Sequence, residues 1–110
     1  MTLRYFDMWG DAGFSRGLEE WSGVVTKWLT SLNDERVCVT FDMIEIREGD
    51  RVGFTSALIE YKALATDDTV LRSMRNRITT GFVKQDARWF VIHQHISAPV
   101  DAELKAILSF

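Results

Sequence analysis

The chain has 110 residues, 46% hydrophobic and 26% charged, with a formal net charge of −3 and a pI near 5.3. One proline and no low-complexity run exclude a disordered chain, and the acidic balance excludes the basic footprint of a nucleic-acid or anionic-membrane binder. A single domain burying roughly 65% of its unfolded surface is expected, in a reducing, cytoplasmic setting, because Cys38 is the lone cysteine and neither an apolar leader nor a membrane-length apolar run is present.

Residues 3–9, LRYFDMW, read as a short strand, and GDAG after them as a turn. Ser15 is a candidate N-cap, and Glu19 and Glu20 suit the positive end of a helix dipole. Leu18, Trp21, Val25, Trp28, Leu29 and Leu32 recur at helical spacing, which predicts an amphipathic helix over 16–32, ended by Asn33 and Asp34. The period then changes to two. RVCVTFDMIEI (36–46) alternates, with Val37, Val39, Phe41, Met43 and Glu45 on one side. EGD (48–50) is a hairpin turn and RVGFTSALIEYKAL (51–64) the returning strand. After the polar link ATDDTVL, a second hairpin joins RSMRNRITTGFV to RWFVIHQHISAP across KQDA. VDAELKAILSF reads as a short helix or a tail packed on a neighbour. Strand, helix, then four antiparallel strands give an α+β fold. One helix is thin cover for such a sheet, so a second copy of the chain is expected against the other side, as a homodimer through the sheet.

RNRITTGFVKQDARWFVIHQHISAPVD resembles the closing hairpin of SnoaL-like proteins, within the ketosteroid isomerase and nuclear transport factor 2-like (NTF2-like) superfamily. The shared pattern is Arg-x-x-Thr, a turn before Arg-Trp, then His-x-His-x-Ser ending at Pro. YFDMWGDAGFSRGLEEW resembles the segment before that family's long helix, so the likeness covers about residues 3–101. It implies a curved sheet wrapped on a helix, a cone with an apolar pocket, and a dimer. Family members usually begin with one or two further helices, whereas this sequence opens at the first strand.

With QDA as a three-residue turn, Lys84 pairs with Arg88, Thr80 with Ile92, Ile78 with Gln94, and Arg77 with His95. Ile78, Thr80, Phe82, Phe90, Ile92, Gln94 and Ile96 then share an almost wholly apolar face, the candidate pocket wall, to which Tyr5 and Trp9 are added. Gln94 is its hydrogen-bonding group. Arg77, Thr79, His93 and His95 fall on the opposite face, the candidate dimer interface. A two-residue turn would shift this register by one. His-x-His also suits a metal, but needs a third ligand, for which Glu45 and Glu60 are available without any spacing to favour them; the reading adopted is no metal and no cofactor.

The resemblance singles out Asp7, since ketosteroid isomerase-like proteins place a general-base aspartate just before the glycine loop. Tyr5, Phe6, Met8 and Trp9 around it would desolvate the carboxylate and raise its basicity. The competing reading makes Asp7 a turn or cap residue at the cavity rim. The family's oxyanion-stabilising tyrosine has no counterpart, Tyr5 and Tyr61 being the only tyrosines. Three functions follow as expectations: an isomerase or cyclase acting on a hydrophobic carbonyl compound, a non-catalytic binder of a small apolar ligand, or a homodimerisation or protein-association module.

Overall fold

The computed structural model describes residues 4–6 and 14–110, and Asp7 and Trp9 lie outside them. The chain runs β1 (Arg4–Phe6), β2 (Phe14–Arg16), α1 (Gly17–Thr30), β3 (Arg36–Glu48), β4 (Val52–Leu64), β5 (Val70–Gln85) and β6 (Arg88–Ser97). It is an α+β fold, one helix on a curved six-stranded sheet of order β2-β1-β6-β5-β4-β3.

The sheet is mixed where antiparallel pairing throughout was expected: β1 runs parallel to β6, pairing Tyr5 with Gln94, and antiparallel to β2. Ser15 belongs to β2 and so does not cap the helix, which starts at Gly17. The chain enters α1 directly from the strand with Gly17 at φ 79°, a conformation open to glycine at little cost. Beyond Thr30 the turn passes through Asn33 at φ 54°, consistent with the expected stop.

Two bulges set which residues face the helix. In the β5–β6 hairpin the turn is two residues, Asp86 and Ala87, at φ 51° and 63°, so Gln85 pairs with Arg88. This corrects the three-residue turn. Farther along, Phe82 pairs with Val91 but Gly81 with His93, which leaves Ile92 as the extra residue of a bulge. The turn and the bulge each move the register by one. Their sum is two, so beyond the bulge the faces are those read from the sequence while each partner moves by two: Thr80 lies opposite Gln94 rather than Ile92, Ile78 opposite Ile96 rather than Gln94, and His95 opposite Thr79 rather than Arg77. Between bulge and turn it differs. Phe90 pairs with Val83 on the outer face, away from the helix, and is 43% exposed. A second bulge in β3, with Met43 at φ 51°, re-aims the strand so that Ile46 rather than Glu45 continues the face begun by Val37, Val39 and Phe41.

The sheet's core sits on the helix side. Ile59, Ala63, Asn76, Ile78 and Thr80 are buried there, neighbours by cross-strand register. The C-terminal segment is not a helix; it is a tail packed on β5 of its own chain. Val100 bridges Ala106, the Ile107 amide donates to the Pro99 carbonyl at 2.8 Å, and the Arg75 amide donates to the Leu108 carbonyl at 2.8 Å. The segment thus docks beside β5 where β6 has ended.

Candidate functional site

Between α1 and the sheet lies a cavity of about 990 Å³. Its helical wall is Trp21, Val24, Val25 and Trp28, with Leu32 just past the helix; of the apolar stripe read from the sequence, Leu18 and Leu29 are instead exposed. Val37, Tyr61, Ala63, Met74, Gln94 and Ile96 form the sheet wall, Tyr5 closes the β1 side, and Leu108 is brought in by the docked C-terminal segment. Lys27, Ser31, Arg72 and Ser73 supply the polar part of the lining.

Of the residues expected in the pocket wall, Tyr5, Gln94 and Ile96 line this cavity. Ile78 and Thr80 share their face but are buried in the sheet core. Phe90 points to the other side and Ile92 is the bulge residue, so neither belongs to the wall that a three-residue turn implies. Tyr61 and Met74 are cavity residues absent from the expected wall. The alternation of Ile59, Tyr61 and Ala63 in β4 carries the signal for Tyr61, since a period of two places all three on one face.

Two aromatic pairs join helix to sheet across the cavity. Tyr5 stacks on Trp21, with ring centroids 4.7 Å apart and planes at 19°, and Tyr61 meets Trp28 edge-on at 6.1 Å and 87°. Both arrangements suit the aromatic quadrupole. Burial holds both phenols above the ordinary tyrosine pKa, so at neutral pH each is an uncharged hydrogen-bond donor. Arg72 forks onto Glu35 at 3.1 and 2.5 Å, and this contact holds the Glu35 carboxyl below the usual carboxylate range.

The outer face carries the remaining candidates. Arg77, Thr79 and His95 are exposed and His93 is half-buried. Arg77 Nε donates to Ser97 Oγ at 3.2 Å, while His93 Nδ1 donates to the Arg4 carbonyl at 2.9 Å and so ties β1 to β6. The imidazoles stand 6.5 Å apart by ring centroid. Among the described residues no three His, Cys, Asp or Glu side chains gather as a metal-binding group; Glu60 instead faces Lys62 at 3.5 Å and Arg75 at 4.0 Å. Nor is any described helix long and apolar enough to cross a membrane.

A SnoaL-like domain family matches residues 4–101. The chain belongs to the SnoaL-like domain family. An NTF2-like protein of unknown function from Pseudomonas putida superposes with TM-score 0.77 at 21% identity, over 98% of this chain and 73% of that one. Aln2 from a Streptomyces species gives 0.75 at 14% identity, over 86% and 66%. An uncharacterised protein with a cystatin-like fold from Caulobacter vibrioides gives 0.66 at 17%, over 92% and 70%. At these identities the SnoaL-like chain shares a fold with them. No curated protein matches it.

Proposed function

We propose that this SnoaL-like protein binds a small hydrophobic compound, one carrying a carbonyl or similar oxygen, in the cavity between α1 and the sheet. The observation that carries the reading is the cavity itself. At about 990 Å³ it lies at the upper end of the range typical of small-molecule sites. Its walls are mainly aromatic and aliphatic, with Lys27, Ser31, Arg72, Ser73, Gln94 and the two phenols as polar groups, an arrangement by which such sites combine apolar burial with a fixed ligand orientation. Gln94 and the two phenols are the orienting groups.

A thermal-shift screen of neutral ring compounds tests this. A ligand of the native cavity raises the melting temperature in proportion to the logarithm of its concentration once that exceeds Kd. It also quenches Trp21 and Trp28, which wall the cavity. A screen in which no compound does either overturns the reading. Turnover of a carbonyl compound by an isomerase or cyclase reaction is the catalytic extension, with Asp7 as its candidate base. If Asp7→Asn leaves turnover of an identified substrate unchanged, Asp7 is not the base.

A second reading, homodimerisation through the outer face, is favoured by the exposure of Arg77, Thr79, His95 and Phe90 there. The two readings use opposite faces of the sheet and are compatible.

A further inference from the structure

In the sheet order, β3 is an edge strand whose neighbour among the described residues is β4 alone. It is the barest of the long strands, exposed at every position except Val37. Its two halves differ. At the bulge and beyond it, side chains occupy the backbone: Asp42 Oδ1 accepts the Met43 amide at 2.8 Å, and Arg47 donates to the Ile46 carbonyl at 3.0 Å. Bulged, self-bonded edges of this kind keep other strands from adding. The first half, RVCVTFD (36–42), pairs regularly with β4, and among the described residues no side chain bonds its backbone. Every second residue there turns an N–H and a C=O to the open edge.

This half-strand is self-complementary. Set antiparallel to its own copy and centred on Val39, it places Arg36 opposite Asp42, Val37 opposite Phe41 and Cys38 opposite Thr40, each pair occurring twice about a two-fold axis. Partners in this register are an even number of residues apart, so a residue whose N–H and C=O turn outward always meets another that does the same. Arg36 and Asp42 share the outer side with Cys38 and Thr40. Val37, Val39 and Phe41 share the helix side, where Val39 is 42% and Phe41 54% exposed. Centring on Cys38 or Thr40 instead loses the Arg36–Asp42 pairs and shortens the regular ladder to five residues. Both charges have room for the contact: Arg36 also meets Asp68, and Asp42 meets Arg75 at 3.2 Å, yet their side chains are 58% and 70% exposed.

We propose that two copies of the chain join edge to edge through residues 36–42 of β3, so that their sheets continue as one. The contact is independent of the cavity and of the outer face. Seven residues a side make it smaller than the roughly 1,200–2,000 Å² interface of a stable pair. It therefore forms as protomer concentration rises, and covalent capture reads it where sedimentation of dilute protein does not.

Single cysteines placed in the Cys38→Ser chain test it, with intermolecular disulfide followed on non-reducing gels under a mild oxidant. Val39→Cys puts the two thiols at the axis, their Cα atoms about 4.5–5.5 Å apart and within disulfide reach. It is expected to capture a dimer at least about tenfold faster than Val37→Cys, whose twin stands four pairs away, roughly 13 Å along the ladder. In the unaltered chain Cys38 lies diagonal to its twin at about 7–8 Å, past the usual reach, and is expected to be slow as well. Added to Val39→Cys, Arg36→Glu turns two attractive pairs into repulsive ones and should slow capture about two- to 25-fold, whereas Arg36→Lys keeps the rate. Equal capture by the Val37→Cys and Val39→Cys chains, or none by either, overturns the edge pairing. Faster capture through Cys38 than through Val39→Cys overturns the register. A rate that Arg36→Glu leaves unchanged overturns the charge pairing. None of these outcomes touches the cavity reading.

Discussion

Asn76 is fully buried, and among the described residues neither atom of its amide has a hydrogen-bond partner. Its register neighbours on the helix side are apolar, Ile59 across the strand and Ile78 two positions along. An orphaned buried polar group costs about 1–3 kcal/mol, whereas an apolar side chain of similar size there carries no such penalty. Asn76→Val, β-branched and suited to a strand, is expected to raise stability by about 1–2 kcal/mol in urea unfolding. A loss of more than about 1 kcal/mol would mean the amide is satisfied in solution. The tyrosines give a pH signature at the same scale. Burial raises both pKa values, so their contribution to stability is fully present below the unfolded value of about 10 and is lost as pH rises through the higher folded values. Because Tyr5 and Tyr61 are the only tyrosines, ultraviolet titration reads them directly. The native chain should ionise at higher pH than the unfolded chain, and Tyr61→Phe should leave one such transition.

At the scale of elements, the β5–β6 turn carries strain that one substitution relieves. Ala87 sits at φ 63°, where a Cβ crowds the carbonyl at a cost of about 1–2 kcal/mol, and glycine does not. Ala87→Gly should stabilise the chain by about 1 kcal/mol, less the extra entropy glycine gives the unfolded state, as read by the urea midpoint. The docked C-terminal segment hangs on Arg75, whose guanidinium donates to the Phe110 carbonyl at 2.7 Å and to Asp42 at 3.2 Å. Arg75→Met keeps the stem and removes both bonds. Amide exchange over residues 107–110 should then quicken while β6 exchanges as before; equal rates would show that the backbone bonds alone hold the segment. Much of this architecture is legible in the sequence. The helix shows in the spacing of Trp21, Val25, Trp28 and Leu32, and each long strand shows in its period of two. The bulges at Met43 and Ile92 are not legible, because the extra residue exists only relative to a partner strand and leaves no mark in either strand's own pattern. That is why the sequence pattern sets Phe90 on the wrong face while Gln94 and Ile96, beyond the bulge, fall beside the cavity. Tyr61 differs in kind: a family position says nothing of it, and only its own alternation with Ile59 and Ala63 points it at the helix.

At the scale of the whole molecule, one helix serves six strands among the described residues, and the side of the sheet away from it exposes Arg77, Thr79, Phe90 and His95. Along the edge strand β3, Phe41, Met43, Ile44 and Ile46 are each more than half exposed, Phe41 and Ile46 on the helix side of the sheet and so apart from the outer face. A stable pair needs about 1,200–2,000 Å² of buried surface in total, and a sheet face six strands wide can provide it. In a two-fold dimer every substitution appears twice across the same interface, so charge placed there acts doubly. Thr79 and His95 are cross-strand partners on the outer face, and glutamate at both would set four carboxylates against one another near the axis. The unaltered chain is expected to sediment as a dimer of its 12.7 kDa protomer, and the Thr79→Glu, His95→Glu variant as a monomer. Because the cavity lies on the helix side of the sheet, ring compounds should bind that variant as before. If the unaltered chain sediments as a monomer, the outer face is not a self-association surface. If the double variant stays dimeric, the contact lies elsewhere, and the exposed edge of β3 becomes the face to alter next.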